Sequence, residues 1–353
     1  MKMTNPNIVF TKLNTAEVVD RPMPKVKDGE VLVKLVRSCI SSGTERANLT
    51  GVPDNGTSIY VDCPDDRVTW PRQGGYSSVG IVQTVGKGVK SVKKGDRVAM
   101  SWTVHSQYVS LPERQVYLIP DNVGFEEAAL THISTFPMAA IRKCRLEVGE
   151  SALVMGQGVL GQLAVVLLKA AGAAPIIVAD PVVAKRKRAL KLGADYAFDP
   201  MSPDFAAQIK AVTDTGRTLQ DGRVADSGAK VVIEVTGNGG ALNTALEAIA
   251  PFGRLALLGC TRDSNFTVNY YRKVHARGIT MIGAHTNARP DLESHGGWWT
   301  TRDDALTTLR LLSLKRISLK GFVSEVHKVK EAPAVYARLA KGGAFPCVQF
   351  DWE

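Results

Sequence analysis

Between Arg37 and Arg46 the chain reads RSCISSGTER, collecting four hydroxyls, a thiol, a carboxylate and two guanidinium groups in ten residues. A thiolate at Cys39 could act as a nucleophile or bind a metal, and the hydroxyls of Ser42 and Thr44 could carry protons. The types alone fit a reactive site, the remains of a metal site or a plain polar turn.

A second constellation is more specific. SALVMGQGVLGQLAVV contains Gly156-x-Gly158-x-x-Gly161, directly after an apolar strand-like run and directly before helically spaced apolar residues. In that context the first glycine permits a tight turn, the second lets the backbone approach a pyrophosphate, and the third lets helix pack closely on strand. The helix N-terminus at Val159 and Leu160 then turns unsatisfied N–H groups toward the anion. Asp180, ending PIIVAD nineteen residues after Gly161, is placed to accept hydrogen bonds from the adenosine ribose diol. Its charge repels a 2′-phosphate, so NAD is expected over NADP, with Lys185 and Arg186 softening the discrimination. Thr236 in VTG and Gly259 in LGC end later strands and are expected to border the nicotinamide half. Cys260 reads as a small buried thiol rather than a reactive one.

These residues need a scaffold, and the chain supplies two kinds. Up to about residue 120, short strands are predicted at Asn7 to Lys12, Ala16 to Asp20, Glu30 to Val36, Val79 to Val85, Arg97 to Met100 and Gln107 to Leu111, punctuated by Pro, Gly and Asp. This predicts a β barrel, with the long stretch Thr50 to Gly75 as a candidate substrate loop. From Ser151 strand-like SALVMG, PIIVAD, YAFD, KVVIEV, RLALLG and ITMIG alternate with helical runs, the grammar of a doubly wound parallel sheet. The tail carries predicted helices at Asp303 to Leu314 and Ala332 to Lys341 and a strand at CVQFDW, expected to rejoin the barrel.

The 353 residues allow about two domains, and 44% apolar with 22% charged residues is an ordinary globular composition. Five scattered cysteines without a Cys-x-x-Cys pair argue against a disulfide framework or a zinc knuckle. The N-terminus lacks an apolar signal core and no run spans a membrane, so a soluble cytoplasmic protein is expected. The net charge of +10 is dispersed except at Lys185 to Arg188, read as a solvated helix face; neither nucleic acid nor a membrane is an expected partner.

The order barrel, nucleotide sheet, returning tail resembles the medium-chain dehydrogenase/reductase superfamily. The resemblance is carried by GTE at Gly43 to Glu45, GYSSVGIVQTVGKGVKSVKKGDRV from Gly75 to Val98, EEAAL at Glu126 to Leu130, the glycine motif, and VVIEVTGNGGALNTALEAIAPFGRLALLG. It implies a GroES-like catalytic domain over residues 1–133 and 284–353, a Rossmann domain over 134–283, a small-molecule substrate and a homodimer or homotetramer. In zinc-dependent alcohol and polyol dehydrogenases of the superfamily, three positions that ligate the catalytic metal match Ser42, Tyr76 and His132 here. A hydroxyl, a phenol and one imidazole do not make a zinc site. Cys39 lies three residues early, on the preceding strand, and the family's four-cysteine zinc lobe has no counterpart in GDRVAMSWTVHSQYVSLPE. A zinc-free member is therefore expected, and SSGTER is similar to the branch around bacteriochlorophyllide a dehydrogenase and sugar or polyol dehydrogenases.

Without zinc, something else must hold the substrate oxygen and take its proton. The resemblance places Ser42, Tyr76 and His132 together, with Tyr76 or His132 as the acid/base and Thr44 as the relay hydroxyl. Glu45 and Arg46 read as an orienting ion pair or surface contacts. Arg289 resembles the family's arginine that reaches the cofactor phosphates, and Trp298 with Trp299 are expected to stack on a substrate or seal a subunit interface. The expected activity is zinc-independent, NAD-dependent hydride exchange with a secondary alcohol or ketone such as a sugar, polyol or secondary metabolite. A quinone or enone reductase and a non-catalytic nucleotide sensor are the rival readings.

Overall fold

The computed structural model describes residues 4–52, 68–222, 225–261 and 265–353. The chain divides into two compact units, Met1–Thr135 with Thr301–Glu353, and Phe136–Thr300.

In the first unit β1 (Thr4–Lys12), β2 (Thr15–Pro22), β3 (Glu30–Cys39), α1 (Ser42–Thr50) and β4 (Arg72–Gln73) precede β5 (Ser77–Val85), β6 (Arg97–Ser101), β7 (Tyr108–Pro112) and β8 (Val116–Leu118). The short α2 (Phe125–Ala128) and the start of α3 (Thr131–Lys143) follow. The strand β3 is the organising element: it pairs antiparallel with β5, with β7 and, through Cys39, Ser38 and Arg37, with the C-terminal strand. The reason is in its sequence, EVLVKLVRSC, whose alternation sends Val31, Val33 and Leu35 fully inward. Arg72–Gln73 lies inside the stretch read as a substrate loop; residues 53–67 of that stretch lie outside the described residues.

The second unit runs β9 (Ala152–Met155), α4 (Val159–Ala171), β10 (Ile176–Ala179), α5 (Val183–Leu192), β11 (Tyr196–Phe198), α6 (Phe205–Thr213), β12 (Ala229–Glu234), α7 (Gly239–Ala248), β13 (Ile249–Leu257), α8 (Tyr270–Lys273) and β14 (Thr280–Gly283). Its six parallel strands lie in the order β11-β10-β9-β12-β13-β14, the doubly wound arrangement with its crossover point between β9 and β12. The strands β9 and β10 are buried at every residue because helices cover both faces, which is why they read as unbroken apolar runs.

The tail supplies α9 (Thr301–Ser313), β15 (Glu325–Lys328), α10 (Ala332–Lys341) and β16 (Val348–Asp351). As expected, β16 returns to pair with β3, and α10 buries Val335, Tyr336 and Leu339 in the barrel core. The tail rejoins at Thr301 rather than at residue 284. The intervening segment is fastened to the second unit by Lys143, whose Nζ donates to the carbonyls of Gly283 and Ala288 at 3.1 and 2.6 Å. Among the described residues no helix is long and apolar enough to cross a membrane.

Candidate functional site

The glycine loop has the form its spacing predicts. Gly156 sits at φ +94°, a left-handed conformation that suits glycine, and Gly158 caps α4 with open space where a Cβ would be. Gly161 lies so near the loop that a Cβ would fall 1.9 Å from the Gly156 carbonyl oxygen. The N-terminus of α4, at Val159 and Leu160, therefore emerges from a cradle shaped for close backbone approach, and a dinucleotide fits it.

Asp180 follows β10 and is 4% exposed. Its carboxylate accepts the Gln157 and Val182 amides, each at 2.8 Å, and Lys185 Nζ lies 3.6 Å away. The residue thus ties the end of β10 to the glycine loop, a duty that sequence reading did not assign to it. Arg186 pairs with Asp199 at 3.1 Å, so the Lys185 to Arg188 run is not simply a solvated face.

At the end of β12 the buried Glu234 accepts the amides of Thr236 and Gly237 at 2.7 and 3.1 Å, and also the Thr236 hydroxyl. Burial pushes its carboxyl above the ordinary range, against the lowering effect of those donors. Gly259 packs on this turn, where a Cβ would fall 2.2 Å from the Gly237 nitrogen. Thr236 and Gly259 thus share one tight corner at the carboxyl ends of β12 and β13. Cys260, next to it, is exposed rather than buried, because the chain leaves the sheet there.

Arg289 is a largely buried residue of the segment after β14. The Trp pair follows, and both rings meet cations of α3. Trp299 takes the Arg142 guanidinium over its ring at 3.5 Å and Trp298 takes Lys143 Nζ at 4.5 Å. Basic residues in the last turn of α3 give those rings a partner within the chain.

The second constellation lies in the barrel unit. Tyr76 precedes β5, His132 is the second residue of α3, and both are buried. The rings meet edge to face with centroids 5.5 Å apart, and Trp102 completes the cluster at 4.6 Å from His132 and 6.2 Å from Tyr76. Trp102 sits at φ +61° with its N–H donating to the Tyr76 carbonyl at 2.8 Å, and the residue is 42% exposed. A left-handed tryptophan is a strained choice and carried no sequence signal.

Tyr76 Oη forms a short hydrogen bond with Ser41 Oγ. The expected partner was Ser42, which is instead the first helical residue of α1. Among the described residues, no hydrogen bond joins the hydroxyls of Ser42 or Thr44 to Tyr76 or His132. The stretch read as a turn is a helix, and its register points Ser41 rather than Ser42 at the phenol. Ser41 stands at the N-cap, where a serine usually accepts an N–H of the first turn, an arrangement contributing about 1 kcal/mol. Here its side chain makes no cap bond.

Glu45 is the largest departure from expectation. Instead of meeting Arg46 or solvent it is 1% exposed, with Oε1 accepting the Ser41 amide at 2.7 Å. Its Oε2 accepts the Tyr336 hydroxyl in a short hydrogen bond and stands 3.1 Å from His105 Nε2. His105 Nδ1 meets Ser38 Oγ at 2.8 Å, and the Trp352 indole donates to the same oxygen at 2.8 Å. An indole can only donate, so the Ser38 oxygen accepts from Trp352, and a carboxylate can only accept, so Nε2 faces Glu45 as the donor. Cys39, at the end of β3, is buried with its thiol pushed well up by desolvation, as suits a strand residue.

A glycine-loop sheet and a barrel bearing a phenol–hydroxyl–imidazole cluster define an alcohol dehydrogenase-like oxidoreductase. The family described as "Alcohol dehydrogenase GroES-like domain" matches residues 27–121, and that described as "Zinc-binding dehydrogenase" matches residues 159–298. The chain belongs to the medium-chain dehydrogenase/reductase superfamily, zinc-type alcohol dehydrogenase-like. It is 27% identical over 301 residues to L-threonine 3-dehydrogenase of Pyrococcus furiosus, covering 76% of this chain and 79% of that one. Sorbitol dehydrogenase of Bacillus subtilis is 28% identical over 278 residues, 70% of this chain and 73% of its own. The fold matches crystalline 2R,3R-butanediol dehydrogenase from Bacillus subtilis with a TM-score of 0.78 at 21% identity, over 98% of this chain and 99% of the other.

The zinc in the family's name does not fit the residues present. The cluster offers one imidazole, a phenol and hydroxyls, whereas zinc takes three or four sulfur, nitrogen or carboxylate ligands. Among the described residues no group of three or more His, Cys, Asp or Glu is placed to hold a metal ion.

Proposed function

We propose that the chain is a zinc-independent, NAD(H)-dependent dehydrogenase of a secondary alcohol of the sugar, polyol or secondary-metabolite class. The observation that carries this reading is the hydrogen bond between Tyr76 Oη and Ser41 Oγ, with His132 packed in a T-shaped pair with the same phenol ring. Bound nicotinamide supplies the hydride acceptor. On oxidation Tyr76 Oη accepts the carbinol proton as its own hydrogen passes to Ser41 Oγ, whose hydrogen leaves to solvent; reduction runs the same relay in reverse, and His132 fixes the ring. Gly156, Gly158 and Gly161, with the amides of Val159 and Leu160, cradle the pyrophosphate, and Arg289 adds positive charge toward it. Asp180 favours NAD over NADP, while Lys185 beside it narrows the preference. Thr236 and Gly259 border the nicotinamide.

The relatives support the substrate class, since threonine 3-dehydrogenase, sorbitol dehydrogenase and (R,R)-butanediol dehydrogenase are all named for secondary alcohols. The test follows NADH absorbance over a panel of polyols, sugars, hydroxy amino acids and enones, with metal analysis of the same preparation. Turnover of an alcohol at substoichiometric zinc, reduced about a hundredfold or more in Tyr76→Phe, is expected. Stoichiometric zinc, or an unchanged Tyr76→Phe, would overturn the reading, and NADPH-driven enone reduction would replace it with the rival reductase.

A further inference from the structure

A serine at an N-cap has two uses for its oxygen, and in this fold it serves the phenol. What frees it is visible behind it. Ser41 is gripped at both backbone atoms by one residue: its carbonyl accepts the Glu45 N–H at 2.9 Å, and its N–H donates to Glu45 Oε1 at 2.7 Å. The carboxylate reaches back from the end of the first turn of the helix to orient the serine backbone. Its other oxygen is fixed from elsewhere in the barrel by the Tyr336 hydroxyl and His105 Nε2, the latter ring held in turn by Ser38 and Trp352.

We propose that Glu45 is a positioning residue for the Ser41–Tyr76 pair. Its buried carboxylate locks the Ser41 backbone so that Oγ faces Tyr76 Oη instead of the first-turn amides, and Tyr336 and His105 lock the carboxylate. This deepens the reading of Tyr76 as the proton-transfer group and rests on it for its role in turnover, though not for the geometry. Glutamine at position 45 keeps the length of the side chain but in either orientation sets its N–H hydrogens against a donor, the Ser41 N–H on one side or Tyr336 and His105 on the other. The side chain is then driven out of register and Ser41 is released to cap the helix.

The experiment reads Tyr76 directly, with no substrate. The phenolate absorbance of each protein is titrated with pH and that of its Tyr76→Phe counterpart subtracted, which removes the other seven tyrosines. Ser41→Ala is expected to move the Tyr76 titration, Glu45→Gln to move it by the same amount, and the double variant to move it no further. With a substrate in hand, both single variants lower kcat about tenfold or more while KM stays within about twofold. A Tyr76 titration unchanged in Glu45→Gln but moved in Ser41→Ala overturns the inference, as do two shifts that add. Should Glu45→Gln fail to fold, Tyr336→Phe, which removes one donor from the same carboxylate, must shift Tyr76 in the direction of Ser41→Ala; no shift overturns the inference. A Tyr76→Phe enzyme with full turnover sinks the proposed acid/base and leaves the titration result standing, so the two failures are distinct.

Discussion

Gly161 and Gly156 touch backbone to backbone: a Cβ on Gly161 would lie 1.9 Å from the Gly156 carbonyl oxygen. No rotamer relieves such a contact, because both atoms belong to main chain. Gly161→Ala is expected to push α4 off the loop, to cost on the order of 1–3 kcal/mol of stability, and to weaken NADH binding about tenfold or more. Thermal unfolding and NADH fluorescence titration measure both, and an alanine variant that binds NADH normally would show the cradle is not the nucleotide site.

The carboxylate of Asp180 has two duties that a substitution separates. Asp180→Asn keeps an acceptor for one of the Gln157 and Val182 amides but loses the charge. The ratio of NADPH to NADH affinity is expected to rise about tenfold, with a loss of about 1 kcal/mol in stability from the weakened amide contacts. Parallel titrations with the two cofactors decide it; an unchanged ratio assigns discrimination elsewhere.

Thiol reactivity should divide by burial. Cys260 is exposed, whereas Cys39, Cys144 and Cys347 are buried. Desolvation pushes the Cys144 thiol up to about 12 and that of Cys39 well above its ordinary value. At neutral pH Cys260 is expected to alkylate at least about a hundredfold faster than Cys39 and Cys144, as read by peptide mass mapping. The buried Cys144 also favours the folded state less as pH rises from about 9 toward about 12, since the unfolded chain ionises first.

Glu234 gives a pH signature of opposite origin to that of most carboxylates. Its folded value is raised, so the native state holds the proton longer than the unfolded chain does. Its contribution is fully present below the unfolded value near about 4.3 and is lost as pH rises through the folded one. Glu234→Gln is expected to flatten that part of the stability–pH curve, and urea unfolding across the range checks it; a curve steeper than wild type contradicts the direction.

Much of the fold was legible because its signals are local. Alternation in EVLVKLVRSC, unbroken apolar runs in ALVM and IIVA, and the glycine spacing each reveal an element within a dozen residues. The barrel cluster was less legible. Tyr76 and His132 do meet, yet a one-residue difference in where α1 begins exchanges Ser42 for Ser41, and nothing in SSGTER fixes that register. Serine's preference for the N-cap was the signal available, and it would have marked Ser41 as a boundary rather than as a proton carrier.

Glu45 was illegible for a different reason. Its partners His105 and Tyr336 lie 60 and 291 residues away, so a charged residue beside an arginine reads as surface until the barrel is closed around it. Trp102 is similar, since a left-handed backbone at a bulky residue is imposed by its surroundings and not encoded by them.

The fastening of residues 284–300 by α3 bears on how such chains can be recombined. A graft that exchanges nucleotide units between relatives at residue 283 would separate the Ala288 carbonyl and both tryptophans from Lys143 and Arg142, stranding a lysine whose acceptor and ring partners no longer match. Junctions at 135/136 and 300/301 keep those partners on one inherited piece. The natural seam for building chimaeras therefore falls some seventeen residues beyond the last strand of the sheet, at the start of α9.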